Sequence, residues 1–209
     1  MSKKTERLVV GISGASGVIY AIRLLQVLRD VEQIETHLVL SNSAKQTVGL
    51  ETDYTVEYVE SLATKVYRFN DVAAAISSGS FKTRGMVVVP CSMKTLSSIA
   101  YSFGENLLAR AADVTLKEHR RLVLVPRETP LHLGHLRLLT TVAELGALVM
   151  PPMPAFYHRP QTLDDIVNQT VNRVLDLLEI ELPHDLFKRW TGPSATARHN
   201  GKLEPLSQR

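Results

Sequence analysis

Five loops carry most of the residues that could bind or transform a ligand, and each follows a short apolar run. The first, residues 11–17, is glycine-rich (G-I-S-G-A-S-G), and the second is S-N-S at 41–43. The later ones are P-C-S-M-K-T at 90–95, P-R-E-T-P at 126–130 and a proline-rich loop at 151–160. Glycines let a backbone approach a ligand closely, and hydroxyls and cations bind anions. The loops therefore predict a site for a small phosphorylated ligand.

The glycine-rich loop is the strongest phosphate-binding candidate because it joins a predicted strand to a predicted helix. A helix start presents free N–H groups to an anion, although the same residues also fit a tight turn capped by Ser16. The spacing is G-x-x-G-x-x-G, and Ser41 and Asn42 stand where a dinucleotide site has an acid for the ribose. The loop therefore favours a mononucleotide phosphate over NAD.

Charged residues on other elements give weaker signals. Arg127 and Glu128 come directly after a predicted buried strand. Arg110 and Lys117 are seven residues apart and share one helical face. Asp113 lies between them, so the three would equally form a solvated salt-bridge ladder.

Three further patterns are compatible with a functional site but fit an ordinary structural role as well or better. Residues 92–95 bring hydroxyls and an ammonium group to a helix start, where they would bind a ligand or simply cap the helix. Cys91 is a weak nucleophile candidate because no nearby histidine in the sequence could act as its base. His132 and His135 form H-x-x-H, which lacks a third ligand. We therefore expect no metal site.

The elements that must position these loops follow an alternating pattern. Apolar, β-branched runs predict strands at 8–12, 36–40, 86–89, 122–125 and 147–150, with a short one at 65–69. Helical patterns lie between them at 18–29, 56–63, 95–118, 133–145 and 162–179. Such alternation is typical of a parallel sheet covered by helices on both faces. In that architecture ligands bind beyond the carboxyl ends of the strands, which is where the five loops stand.

Length and composition limit the class of protein. The 209 residues are 44% hydrophobic and 22% charged, which predicts one packed domain at 1–190 and a polar, mobile tail at 191–209. A net charge of +3 suits a small phosphorylated ligand and falls short of a nucleic-acid footprint. With a single cysteine, and neither a signal-peptide pattern nor a membrane-spanning run, the sequence predicts a cytoplasmic protein that has no membrane partner.

Six motifs in order give the chain a family resemblance. The motifs are S-G-A-S-G at 13–17, L-E-T-D at 50–53, P-C-S-M-K-T-L at 90–96, R-A-A-D-V-T-L-K-E at 110–118, L-V-P-R-E-T-P-L at 124–131 and P-A-F-Y-H-R-P at 154–160. With these motifs, the sequence from about residue 8 to 190 resembles the UbiX family of flavin prenyltransferases. It resembles the bacterial ubiquinone-pathway branch more than the phenolic-acid branch, mainly through H-L-G-H-L-R at 132–137. Each of the six motifs is weak alone, and the set is specific.

The resemblance implies a three-layer α/β sandwich with a mainly parallel sheet, Rossmann-like or flavodoxin-like, assembled into a homo-oligomer, a dodecamer. It implies a transferase that joins a dimethylallyl group from dimethylallyl phosphate to N5 and C6 of reduced FMN without a metal. The product, prenylated FMN, would serve a UbiD-type decarboxylase.

The resemblance also assigns roles to residues. The positions that match the flavin contacts are Gly14, Ala15, Ser16, Ser41, Ser92, Met93, Lys94, Thr95 and Arg127. The positions that match the prenyl-phosphate contacts are Tyr157, Arg173, Arg110, Lys117 and Glu128, and Trp190 matches an aromatic near the prenyl tail. Ser16, Glu51 and Glu128 match the groups that would handle protons.

Two alternatives remain at this point. A flavin-dependent cysteine decarboxylase would share the fold and FMN, but such enzymes carry a histidine between the second and fourth strands and a P-A-S-A-N-T segment. Here that interval has no histidine and the matching loop is P-C-S-M-K-T. A non-catalytic FMN carrier or accessory subunit of a decarboxylase would need fewer cations than Arg110, Lys117 and Arg173 supply.

Overall fold

A six-stranded sheet, parallel throughout, forms the centre of the molecule. The computed structural model describes residues 5–192, so the predicted tail lies outside the described residues except for Thr191 and Gly192. The strands are β1 (Glu6–Ile12), β2 (Ile34–Leu40), β3 (Lys65–Tyr67), β4 (Gly85–Cys91), β5 (Arg121–Pro126) and β6 (Leu148–Val149). They lie in the order β3-β2-β1-β4-β5-β6, which is typical of Rossmann-like doubly wound sheets.

Seven α-helices connect or follow the strands within the described residues. They are α1 (Val18–Arg29), α2 (Asn42–Glu51), α3 (Val56–Ser61), α4 (Met93–Ala100), α5 (Leu107–Lys117), α6 (Leu133–Glu144) and α7 (Leu163–Leu177). A short 3-10 turn at Ala75–Ser77 precedes β4. Across residues 5–192, no helix combines the length and the apolar character that crossing a membrane requires.

Two hydrophobic clusters, one on each face of the sheet, make the three layers. One face packs against α1 and α7 through side chains such as Leu25 and Val171. The other packs against α4, α5 and α6 through Leu96, Leu108 and Val142. The predicted three-layer α/β sandwich is confirmed, and its sheet is entirely parallel rather than mainly so.

The helix predicted at 95–118 is two helices. The chain leaves α4 at Tyr101, and Ser102 takes a left-handed conformation with φ 52°. The side chain of Asn106 then caps α5 by accepting a hydrogen bond from the Ala109 amide at 3.0 Å. A left-handed residue and a new cap end one helix and start another. The break places the start of α5 at the carboxyl edge of the sheet.

The order of the strands fixes where a ligand can enter. The chain builds β1, β2 and β3 outward in one direction and then crosses to β4 on the other side of β1. The loops after β1 and β4 therefore diverge to opposite faces and leave a crevice between them. Doubly wound proteins bind ligands at this switch point.

Candidate functional site

A buried serine ties together the two loops that border the crevice. Ser13 is 1% exposed, and its hydroxyl donates to the carbonyl of Pro90 at 3.0 Å while accepting from the Ser92 amide at 2.7 Å. The Ser13 amide also donates to the Pro90 carbonyl at 3.2 Å. The distance between the loops is therefore set by hydrogen bonds and does not depend on a ligand. Sequence reasoning did not single out Ser13, because a hydroxyl that links two distant loops looks like any loop serine.

Gly14 lets the loop after β1 lie against the start of α2. A Cβ atom at this position would stand 2.2 Å from the Cβ of Ser43, far closer than two carbons can approach. Ser41 fixes that start, since its hydroxyl accepts from the Ala44 amide at 3.0 Å and caps α2. Only glycine allows the loops after β1 and β2 to meet in this way.

The loops after β1, β2 and β4 together line one cavity, here called the switch-point cavity. Its volume is about 580 Å³, which lies within the usual range for cofactor sites. Five of the predicted flavin-binding residues line it, together with Ser43, Asn106 and others: Gly14, Ser41, Ser92, Lys94 and Thr95. The lining offers hydroxyls, the ammonium group of Lys94 and the carboxylate of Glu105, which suit a polar ligand that carries a phosphate.

Residues 92–95 cap a helix and also line the switch-point cavity. The Ser92 hydroxyl accepts from the Thr95 amide at 3.3 Å and donates to the Thr95 hydroxyl at 3.2 Å, so it caps α4. Lys94 is exposed on the cavity side, so its ammonium group can approach an anion in the cavity. Met93 packs partly into the core beneath. The same turn therefore starts a helix and lines the cavity.

A carboxylate occupies the start of α1. Oε2 of Glu51 accepts from the amides of Gly17 at 2.8 Å and Val18 at 3.3 Å. Gly17 is the N-cap residue with φ 99°, and no side chain within the loop caps the helix. The predicted Ser16 cap is therefore wrong, and the predicted phosphate on this helix start is not supported by the geometry. The positive end of the helix dipole already has its anion.

The same contact brings Glu51 beside the loop that carries Ala15 and Ser16. Ala15 and Ser16 are half-buried at the turn before α1, and Glu51 is the last residue of α2. The Glu51 carboxylate thus lies against the residue that follows Ser16, and a joint role of Glu51 and Ser16 in proton handling stays a prediction. Thirty-four residues separate Glu51 from Gly17, and no local sequence pattern could have shown the contact.

A second group of predicted residues lies near β6, the last strand at one side of the sheet. Tyr157 and Trp190 meet edge to face with their ring centroids 6.0 Å apart. Arg173, on α7, lines a cavity of about 370 Å³ with Met153 and residues around β6. Its guanidinium Nη1 lies 2.6 Å from Oδ2 of Asp176. We call Tyr157, Arg173 and Trp190 the α7-edge cluster.

The two groups are separate within one chain. The switch-point cavity lies over β1, β2 and β4, whereas the α7-edge cluster lies past β6. With neighbouring strands about 4.8 Å apart, β6 is roughly 14 Å from β1. The structure therefore does not bring Tyr157, Arg173 and Trp190 to the cavity that holds the predicted flavin contacts.

Arg110 and Lys117 also lie apart, although they share a helical face. Arg110 is near the start of α5 and its Nη1 contacts Oδ2 of Asp113 at 2.8 Å. Lys117 ends the helix, and its Nζ contacts Oε1 of Glu118 at 2.6 Å. Seven residues at 1.5 Å each put about 10 Å between them along the helix axis. Within residues 5–192 the predicted ladder forms only at its Arg110–Asp113 step, and a shared phosphate pocket for Arg110 and Lys117 stays a prediction.

Arg127 and Glu128 follow β5 at the carboxyl edge and are exposed. The Arg127 amide donates to the carbonyl of Cys91 at 3.2 Å, so this loop runs beside the one that follows β4. Oε1 of Glu128 accepts from the neighbouring Thr129 amide at 3.1 Å, and the described part of the chain gives it no other hydrogen bond. Both side chains are placed to meet a ligand at the rim of the sheet.

The minor candidates have structural roles. Cys91 is fully buried, and burial raises the pKa of its thiol to about 12, so little thiolate is present at neutral pH. Nδ1 of His132 accepts from the Gly134 amide at 3.0 Å and caps α6, while its ring lies against that of His135, tilted by 33° with centroids 3.7 Å apart. Among residues 5–192, no group of three or more metal-ligating side chains converges.

Comparisons with known proteins agree with the motifs. A family model described as Flavoprotein matches residues 1–175. The flavin prenyltransferase UbiX of Escherichia coli strain K12 is 66% identical over 187 residues, covering 90% of this chain and 99% of that protein.

Two solved structures extend the likeness to the fold. A crystal structure of AnUbiX in complex with FMN and dimethylallyl pyrophosphate has a TM-score of 0.87 and 47% identity, and covers 91% of this chain and 100% of that one. A dodecameric FMN-dependent UbiX-like decarboxylase from Escherichia coli O157:H7 has a TM-score of 0.85 and 50% identity, with 90% and 100% covered. The predicted family and enzyme class are confirmed: the chain belongs to the UbiX family of flavin prenyltransferases, which are flavoprotein transferases.

Proposed function

We propose that this chain joins the dimethylallyl group of dimethylallyl phosphate to N5 and C6 of reduced FMN, without a metal. The observation that carries the proposal is the switch-point cavity, where five predicted flavin contacts from three loops meet around one space. The prenylated FMN would pass to a UbiD-type decarboxylase. The single cysteine of the sequence suits action in the cytoplasm.

FMN fits the cavity by size and by the character of its lining. A volume of about 580 Å³ accommodates a flavin mononucleotide within the usual range for cofactor sites. Hydroxyls of Ser41, Ser92 and Thr95 and the ammonium group of Lys94 can hold the ribityl phosphate. Reduced FMN, when bound, supplies the nucleophilic N5 and C6 atoms. Arg127 at the neighbouring rim adds a further cation.

The cationic residues suit the departure of a phosphate. Breaking the allylic C–O bond leaves the electron pair on the phosphate oxygen, where arginine and lysine stabilise the developing charge. Arg173, Arg110 and Lys117 are the candidates for this role. The faces of Tyr157 and Trp190 can shelter the allylic cation.

Two carboxylates are placed to manage protons. Glu128 is exposed after β5 and can donate a proton to the departing phosphate. Glu51, which the Gly17 amide holds beside Ser16, can take up a proton near the flavin. These roles assign one carboxylate to each end of the transfer.

The complete site requires more than one copy of the chain. Because the α7-edge cluster and the switch-point cavity lie apart in one chain, a neighbouring copy would bring its cluster to this cavity. Exposed apolar side chains around the cluster, including Phe156 at 71% and Leu163 at 81%, suit burial against such a copy. We propose a closed homo-oligomer, a dodecamer, as in the dodecameric relative.

The test is an anaerobic incubation of the full chain with reduced FMN and dimethylallyl phosphate, followed by mass spectrometry of the flavin. We expect the flavin to gain one five-carbon unit, and to do so equally in EDTA. FMN that binds but stays unmodified would indicate the carrier alternative. Carbon dioxide released from a peptidyl cysteine would indicate the decarboxylase alternative. Activity that chelation abolishes would contradict the metal-independent reaction.

A further inference from the structure

The segment after α7 is fastened to that helix by a built network. We call residues 183–190 the C-terminal arm. The guanidinium of Arg189 donates to both carboxylate oxygens of Asp176, at 2.9 and 2.7 Å, and to both oxygens of Asp185, at 2.7 Å each. The amide of Leu186 donates to Oδ1 of Asn172 at 2.8 Å, and Asn172 is 2% exposed. The arm is therefore held by charge-assisted bonds and a buried amide.

Asp176 lies at the centre of this network because it also contacts Arg173. Its Oδ2 accepts from Arg189 at 2.9 Å and from Arg173 at 2.6 Å. Burial acts to raise the pKa of Asp176, but hydrogen bonds from Arg189 and Arg173 outweigh it and hold that pKa below its ordinary value. The carboxylate therefore stays ionised and orients both guanidinium groups.

Arg173 is oriented by Asp176 and keeps part of its guanidinium exposed. The two arginines, Arg173 and Arg189, balance the two carboxylates, Asp176 and Asp185, so the network is neutral overall. Arg173 contacts only one of the two Asp176 oxygens, which it shares with Arg189. The Arg173 side chain is 45% exposed, which leaves the rest of its guanidinium free for a phosphate.

The arm also sets the position of Trp190, the residue that follows Arg189. Trp190 meets Tyr157 edge to face, with centroids 6.0 Å apart. Three residues earlier, Phe187 meets the ring of His158 with centroids 5.7 Å apart, and His158 meets Tyr157 at 5.5 Å. Displacement of the arm would therefore move Trp190 away from Tyr157.

We propose that Asp176 and Arg189 are positioning residues for the prenyl substrate. Asp176 orients Arg173 towards the substrate phosphate, and Arg189 fixes the arm that places Trp190 against Tyr157. The inference rests on the proposed function and deepens it, since it assigns a part in substrate recognition to Asp176 and Arg189, two residues that do not themselves touch the substrate.

The test compares Arg189→Met and Asp176→Asn with the wild type and with Asp185→Asn. Asp185→Asn is the matched variant, because Asp185 contacts Arg189 without contacting Arg173. For Arg189→Met and Asp176→Asn we expect KM for dimethylallyl phosphate to rise about 10-fold, from the loss of charge-assisted bonds. We expect kcat and the Kd for FMN to stay within about twofold, and Asp185→Asn to raise KM less than about threefold.

Trp190 supplies a second readout, since it is the only tryptophan in the chain. Arg189→Met should shift its fluorescence emission to longer wavelength and lower its anisotropy, because the indole loses its contact with Tyr157. Arg189→Lys keeps the charge but cannot span two carboxylates, and should give intermediate values. If Arg189→Met does not fold, Arg189→Lys and Asp176→Asn carry the same comparison.

Two failures are distinguishable. Variants that lose thermal stability but keep the wild-type KM and Trp190 emission would show a purely structural network and overturn the inference. Wild-type protein that never prenylates reduced FMN would overturn the proposed function itself, and with it the substrate role assigned to the network.

Discussion

The switch-point cavity and the α7-edge cluster are built from different kinds of side chain. The cavity is formed by short side chains and backbone close to the sheet, and the buried hydroxyl of Ser13 sets its width. The cluster consists of long side chains on the surface, with Trp190 62% exposed and Tyr157 46% exposed. Short groups on rigid loops are positioned by the fold itself, whereas long exposed groups need partners to hold them.

The difference shows which part of the function belongs to one chain. The cavity is complete as it stands, and its residues serve as helix caps whether or not a ligand is present. The cluster depends on the ion pairs of Arg189 and Asp176 and on whatever surface covers its apolar side chains. Flavin binding should therefore tolerate changes in the cluster, while use of the prenyl substrate should respond to changes in both regions.

The largest expected effect is on kcat, and it tests whether Glu51 only caps α1 or also carries a proton during prenyl transfer. Glu51→Gln keeps an oxygen that can accept from Gly17 and Val18, so stability and FMN binding should change little. If Glu51 moves a proton during prenyl transfer, kcat should fall by about 10²–10⁴-fold, the usual contribution of a general acid or base. Single-turnover assays with reduced FMN measure this.

Glu51→Ala provides the contrast, because it removes the cap as well. It should also lower the free energy of unfolding by about 0.5–2 kcal/mol, the usual loss for a helix cap. Equal kcat values for Glu51→Gln and the wild type would limit Glu51 to capping α1.

The next effect should be confined to the cluster. Arg173→Ala removes a hydrogen bond between charged groups worth about 1.5–3 kcal/mol, so affinity for dimethylallyl phosphate should fall roughly 10- to 150-fold. Affinity for FMN should be unchanged. Initial rates against prenyl phosphate concentration, together with an FMN titration, test both statements.

Arg29→Ala is the control for that experiment. Arg29 is exposed at the end of α1, on the opposite edge of the sheet from the cavity. Its loss should change neither ligand. Equal losses of FMN and prenyl phosphate in Arg173→Ala would mean that the two regions are not independent.

A smaller effect should be confined to the cavity. Gly14→Ala places a Cβ 2.2 Å from that of Ser43, so the loop after β1 must move away from α2. Crowding of this kind costs about 1–3 kcal/mol, and FMN should bind more weakly. Gly49→Ala is the matched variant, because a Cβ there meets nothing within 4 Å inside α2, and it should stabilise the protein by up to about 1 kcal/mol. Denaturant unfolding and FMN titration of both variants check this prediction.

The smallest expected effect is a pH dependence of stability that arises at His37, outside both the cavity and the cluster. Burial lowers the pKa of His37 below its ordinary 6.5, despite Glu35 at 3.1 Å, and Arg7 and Lys65 lower it further. The unfolded chain therefore takes up the proton first on acidification. Stability should be fully present above pH 6.5 and decline as the pH falls from 6.5 towards the folded pKa.

His37→Gln tests that origin, since glutamine does not titrate and can still bond to the hydroxyl of Tyr67, which lies 2.8 Å from Nδ1 of His37. Urea unfolding at several pH values between 7.5 and 5 should show a weaker pH dependence for the variant. An identical dependence in both proteins would place the acid sensitivity elsewhere.

Local sequence patterns were enough to predict the sheet and the positions of the loops. Five apolar runs became β1, β2, β4, β5 and β6 within a few residues, because strands buried on both faces must be apolar throughout. The helix α2 was not predicted, since its polar sequence lacks a clear apolar stripe. It forms because Ser41 caps its start and Ala44 and Val48 pack into the core.

The sequence by itself determined the fold class, the family and the edge of the sheet at which the candidate loops lie, because each depends on residue types at short, regular spacing. Only the tertiary structure decided that Glu51 occupies the start of α1, that Arg110 and Lys117 lie at opposite ends of a helix, and that Asp176 joins Arg173 to Arg189. These contacts depend on how whole elements pack. The sequence alone does not show whether a charged side chain is neutralised by a ligand, a helix end or another side chain. Its partner is set by residues from distant parts of the chain, which only folding brings next to it.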